Sequence, residues 1–154
     1  MKIIIILSVL LFLSQGCTKN IVNTNEHNYS TKPDEYNNMY GEWKLSRIEE
    51  FGGHLVTDEK VSLLLSNPII IKKDYFSFMG EELNHPIYQY HKIEFEEGVV
   101  PEKTSAFYGY KMERKYVDEF RVLKNEKFVD AFEIISNDEI LCLFDGRFLI
   151  FKKN

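Results

Sequence analysis

Cysteine is almost missing from this chain: Cys17 and Cys142 are the only two in 154 residues. That excludes the disulfide framework by which many small exported domains are held together. Basic charge is also in the minority, with 19 Lys and Arg against 24 Asp and Glu and a formal net charge of −5. A chain of that sign has no electrostatic reason to seek nucleic acid or an anionic lipid surface, so neither is expected as a charge-driven partner. No apolar run reaches the roughly 20 residues that a membrane-crossing helix needs. Catalytic signatures are absent as well: there is no Gly-x-Ser-x-Gly, no Gly-rich phosphate loop and no Cys/His dyad that spacing can place. The histidines (His27, His54, His85, His91) lack the i, i+4 helical spacing and the Cys/His clustering that argue for zinc. Convergence of His85 and His91 with Glu81 or Glu82 would make a weak metal site. Adjacent carboxylates such as Glu49-Glu50 and Glu81-Glu82 point to opposite faces of a strand and read as solvated surface. Cys142, flanked by Leu141 and Leu143, reads as an inert core thiol. No enzyme, cofactor or metal is expected.

What is present begins at the amino terminus. Lys2 precedes Ile3 to Leu13, apolar except for Ser8, which fits the hydrophobic region of a secretory signal over residues 1–16. The following "LSQGC" resembles the lipobox of bacterial lipoproteins. Gly16 holds the small position before the cysteine, Ser14 stands where Leu is usual, and Leu13 lies one residue further out. The resemblance implies cleavage before Cys17, lipidation of its thiol and acylation of the new amino terminus. The protein would then be held on the exported side of the cell membrane or the outer membrane. Each buried CH₂ is worth about 0.8 kcal/mol and one chain anchors only marginally, so more than one chain is needed for stable attachment. The alternatives are an ordinary secretory signal with Cys17 as a bystander, or a short buried helix. Residues 17–38 then form a tether, because "TKNIVNTNEHNYSTKPDEYNN" has too few large apolar side chains to order itself. As a coil it would hold the rest about 25 Å from the membrane.

Residues 39–154 read as one mostly-β domain with a single short helix near 57–67. "GEWKLS" alternates, with Trp43 and Leu45 on one side. In "TDEKVSLLLSNP", Thr57 is the cap, Asp58 and Glu59 favour the positive helix end, and Asn67-Pro68 stop it. Strands follow in "PIIIKKDYFSFMG", a hairpin about Lys73-Asp74, and in "PIYQYHKIEFEEG", "TSAFYGYKMERK", "EFRVLKN" and "KFVDAFEIIS", the last two joined near Asn125-Glu126. In "EILCLFDGRFLIFKK", Asp145-Gly146 suits a two-residue turn with both residues at positive φ. That turn pairs Leu143 with Phe148 and Leu141 with Ile150 on one face and Cys142 with Leu149 on the other. Both faces are apolar and must be covered, as in a barrel wall packed outside by the helix. A small antiparallel up-and-down barrel is expected.

Gly41-Glu42-Trp43 resembles the Gly-x-Trp opening of the lipocalin superfamily, and "MYGEWKLSRIEEFGG", "TDEKVSLLL" and "DGRFLIFKK" are similar to bacterial lipocalin-like lipoproteins. The Thr-Asp-Tyr loop of that superfamily has no match. The resemblance implies that Trp43 closes one barrel end beneath a late-strand Arg, Arg147 or Arg121; a plain core tryptophan is the alternative. Tyr88, Tyr90, Phe107, Tyr108 and Tyr110 could line a barrel mouth that takes a small apolar ligand, or could simply pack across neighbouring strands. Three roles remain: a lipid-anchored binding module, an envelope protein-interaction module such as an inhibitor or immunity factor, and an enzyme with an unrecognised site. Cys17→Ser is expected to abolish acyl labelling and move the protein from the membrane to the soluble fraction; labelled, membrane-bound C17S protein would refute the anchor.

Overall fold

The computed structural model describes residues 29–30, 37–96 and 98–154. Cys17 and the expected signal lie outside the described residues. Among the described residues no helix is long and apolar enough to cross a membrane.

The strands are β1 (Tyr29–Ser30), β2 (Gly41–Glu50), β3 (Ile69–Lys72), β4 (Tyr75–Phe78), β5 (Glu81–Asn84), β6 (Ile87–Glu94), β7 (Tyr116–Lys124), β8 (Lys127–Ile134), β9 (Glu139–Phe144) and β10 (Arg147–Lys153), with one helix, α1 (Asp58–Leu64). They make a single antiparallel sheet in the order β1-β6-β7-β8-β9-β10-β2-β3-β4-β5. Within the segment read as a tether, β1 pairs with Tyr90 and His91 of β6, and a turn of 3₁₀ helix, Asn37–Met39, crosses its end into the domain.

Tight turns build the meander. Met79-Gly80, Asn125-Glu126 and Asp145-Gly146 each place both central residues at positive φ, the geometry that matches the twist of flanking strands. The last hairpin has the expected register: Phe148 faces Leu143, Leu149 faces Cys142 and Ile150 faces Leu141. Helix α1 also follows the sequence. Thr57 Oγ1 accepts from Lys60 N at 3.4 Å, and Val61 and Leu65 are buried in the main core.

The barrel expectation needs correction, because the sheet does not close. Last strand β10 pairs with first long strand β2, but β5 and β6 form no ladder. Their connection is His85-Pro86, with His85 at φ 53° and its N–H donated to Asp74 O at 2.8 Å. Proline is locked near φ −65° and cannot take the second positive-φ position of the both-positive turns used elsewhere in the meander. This connection is therefore not a turn of that kind, and β6 departs from β5. The Tyr88 hydroxyl bridges the gap by donating to Lys72 O (2.8 Å) and Tyr75 O (3.2 Å).

Two cores lie on opposite faces. On the concave face, rings from facing walls meet directly: Phe78 lies 5.3 Å from Phe132 and 5.8 Å from Phe151, while Tyr88 stacks on Phe120 of the neighbouring strand at 5.0 Å. Such pairs add to the large apolar area they bury. On the outer face Leu141, Phe148 and Ile150 are covered by Phe51 and Tyr110. The expected outer cover was the helix; Val61 and Leu65 instead join the concave core, and a loop does the covering. That loop includes "TSAFYGYKMERK", expected as a strand. Residues 104–110 coil through Phe107 N to Thr104 O, Gly109 N to Ala106 O and Tyr110 N to Ser105 O bonds, with Gly109 at φ 95° and Lys111 at 46°. These local bonds and left-handed residues remove the extended geometry that alternation suggested.

Gly146 sits at φ 74°, where an added Cβ would stand 2.4 Å from Gly53 O. Gly80 has a similar φ of 84° with nothing within 4 Å. Gly80→Ala is expected to cost about 1 kcal/mol in denaturant unfolding, from backbone strain alone. Gly146→Ala is expected to cost roughly 2–4 kcal/mol more, because backbone must move to admit the methyl; equal losses at the two positions would contradict this packing.

Candidate functional site

The β8–β9 ladder contains only Glu133–Leu141 and Ile134–Ile140. Beyond these pairs the strands splay, and the opening forms a cleft of about 600 Å³. Its walls are Phe128, Asp130, Ala131 and Glu133 of β8, Leu141, Cys142 and Leu143 of β9, and Glu119 and Arg121 of β7, with Ile93 and residues 102–104 at its margin. The volume lies within the range of small-molecule sites.

The charged groups in the cleft differ in their freedom. Glu133 is buried and accepts from Ser105 N and Ser105 Oγ, both at 2.5 Å, and from Arg114 Nη1 and Nη2 at 3.3 Å. It ties the loop to the sheet. Glu119 is paired with Arg121 on its own strand. The Asp130 carboxyl has no hydrogen bond or ion pair among the described residues, although its backbone lies in the β7–β8 ladder. Burial, with a smaller contribution from Glu81, pushes its carboxyl up to about 7. Cys142 shares the wall, and burial together with the negative charge of Asp130 and Glu133 pushes its thiol up. It is held protonated, which suits the inert role expected and not that of a nucleophile.

A second constellation lies around the β9–β10 turn. Asp145 accepts from Leu55 N (3.1 and 3.0 Å) and Val56 N (2.7 Å), bonds that hold its carboxyl below the usual range. Arg147, only 1% exposed, donates to Val56 O (3.0 Å), Asp58 Oδ1 (2.8 Å) and Asp145 Oδ2 (3.2 Å). Gly146 O accepts from Phe51 N (2.9 Å) and Gly52 N (3.2 Å). Every polar group here is used to dock residues 51–58, so this is construction and not a ligand site.

Trp43 is fully buried and donates Nε1–H to Met39 O at 2.9 Å. The cation over it is neither Arg147 nor Arg121 but Lys153 of β10, whose Nζ lies 5.5 Å from the ring centroid and donates to Asn38 O at 2.6 Å. Gly41, at φ 145°, lets Lys153 pass: a Cβ there would meet Lys153 Cε at 2.9 Å.

The five aromatics expected at a barrel mouth do not share a surface. Tyr88 is buried in the concave core with its hydroxyl bonded to β3 and β4 carbonyls. Tyr90 packs beside that core and donates to Asp118. Phe107 and Tyr108 are exposed on the outer loop, with Tyr108 stacked on Phe51 at 4.3 Å. Tyr110 covers Phe148 and receives a hydrogen bond from Arg47 at 3.1 Å. His85 is exposed and His91 buried, and neither meets Glu81 or Glu82 in a ligand-like group among the described residues. The group that does assemble is Glu50, His54 and Asp58, all exposed, with donor atoms within 4.8 Å of one another. His27 lies outside the described residues. Sequence reasoning missed Asp130 altogether: "KFVDAFEI" has an acid between apolar residues on a strand, and that irregularity was the available signal.

Compared with protein-family models, curated proteins and solved structures, the chain matches none.

The raised Asp130 carboxyl predicts a pH dependence. The folded state holds a proton that the unfolded chain, with its carboxyl near 3.9, releases, so Asp130 costs stability as pH rises from about 4 through 7. Charged groups near it are Glu81 of β5, Glu119 and Arg121 of β7, Glu133 of β8, and Glu102 and Lys103. Asp130→Asn is expected to be more stable than the parent at pH 8, by about 2 kcal/mol after allowance for solvent screening, with the gap closing towards pH 4. A constant difference across denaturation curves at the two pH values would rule out this reading.

Proposed function

We propose that this protein is a lipid-anchored, exported, lipocalin-like binding protein of the bacterial cell envelope, non-catalytic, taking a small ligand with an apolar part. The β8–β9 cleft carries the binding reading: about 600 Å³ of concave space in which apolar Ala131, Leu141 and Leu143 alternate with fixed polar groups. Ring-to-ring contact fills the concave interior, so the ligand belongs in this lateral cleft and not at a barrel mouth. Membership of the lipocalin-like class is supported by the up-and-down order, the β10–β2 pairing, and a late-strand cation over the Trp of Gly41-Glu42-Trp43. The anchor rests on "LSQGC" and Cys17. The non-catalytic role is supported by Glu133, tied to Ser105 and Arg114, and Cys142, held protonated.

A second reading, an envelope protein-interaction module, draws on the exposed Val99, Phe107, Tyr108 and Met112 of the loop between β6 and β7. The two separate cleanly. Protein extracted from membranes in mild detergent is expected to release a small molecule on denaturation in mass spectrometry, and the cleft-filling Ala131→Trp variant, folded by circular dichroism, is expected to carry none. An empty parent protein, joined by a protein partner lost in Phe107→Ser/Tyr108→Ser, would favour the interaction module instead.

A further inference from the structure

We propose that the β8–β9 cleft selects an organic cation, a protonated amine on an apolar body, with Asp130 as its counter-ion. The inference rests on the reading of that cleft as the binding site and names the class of ligand. Four carboxylates line the cleft (Glu102, Glu119, Asp130 and Glu133) against Lys103 and Arg121. Two of the four already have cationic partners: Glu133 pairs with Arg114 and also accepts from Ser105, and Glu119 pairs with Arg121. Arg121 is thereby engaged as well. Glu102 and Lys103 are exposed neighbours at the margin, where water screens both.

That leaves Asp130 as the half-buried charge without a compensating group. It stands at the opening between β8 and β9, beside the Cys142 wall, with Glu81 of β5 adding like charge. A half-buried carboxylate near another carboxylate is unfavourable by itself, and a cation that donates a hydrogen bond to it relieves both costs together. An anionic ligand would meet the same two charges as repulsion. The remaining wall, Ala131, Leu141 and Leu143, is aliphatic and suits the body of an alkylamine.

Calorimetric titration of the full chain with octylammonium, octanol and octanoate tests this at pH 8. Octylammonium is expected to bind at least ten times more tightly than octanol, and octanoate more weakly than either. Asp130→Asn is expected to remove that advantage, bringing octylammonium and octanol to comparable affinities, whereas Ala131→Trp should abolish binding of all three. Equal binding of the three ligands, lost in A131W but indifferent to D130N, would overturn the cation preference and keep the cleft as a site. Binding unaffected by A131W, or no binding of any ligand, would overturn the cleft reading along with it.

Discussion

One strand, β10, holds the two halves of this protein together. Because β5 and β6 do not pair, β2–β5 and β6–β9 are joined as a sheet, among the described residues, only through β10, which pairs with β9 on one side and β2 on the other. Residues 147–151 of this strand are buried consecutively, on both faces. Its two ends are fastened by different chemistry. At one end Arg147 and the Asp145-Gly146 turn grip residues 51–58 through backbone and carboxylate hydrogen bonds. At the other, Lys153 reaches over Trp43 and past Gly41 to Asn38. A buried guanidinium is tolerated only when its donors are satisfied, and Val56, Asp58 and Asp145 do so.

With β10 fixed, the sheet can curl until its walls touch. The concave side then fills with aromatic rings, and the space for a ligand appears where strands part. Splaying at β8–β9 has a visible counterpart in the loop above it, where Ser105 and Arg114 converge on Glu133 at the last paired position. The loop is thus tied to the sheet at the point where the ladder ends. The lipid anchor expected at Cys17 and the acidic balance of the chain fit a body that works at a membrane without adhering to it by charge.

The parts legible in the sequence were those governed by neighbours along the chain. Asp145-Gly146 announces its turn because few residues accept positive φ, and the register of the hairpin follows from that alone. Thr57 and the acids after it announce α1 for a similarly local reason. The stretch 104–115 misled because its alternating aromatics mimic a strand, whereas local hydrogen bonds and left-handed residues bend it into a loop. Tyr88, Tyr90, Phe107, Tyr108 and Tyr110 looked like one group and are distributed over two faces of the sheet.

By itself, then, the sequence determined a mostly-β chain, the last hairpin with its register, the single capped helix and the burial of Trp43, since each follows from contacts within a few residues or from apolar alternation. Only the tertiary structure decided that the ladder stays open at Pro86, that Lys153 and not an arginine covers Trp43, and that Asp130 borders a cleft. Those outcomes depend on which distant strands meet, and a carboxylate's surroundings are set by partners from β5, β7 and β9 that no local pattern names.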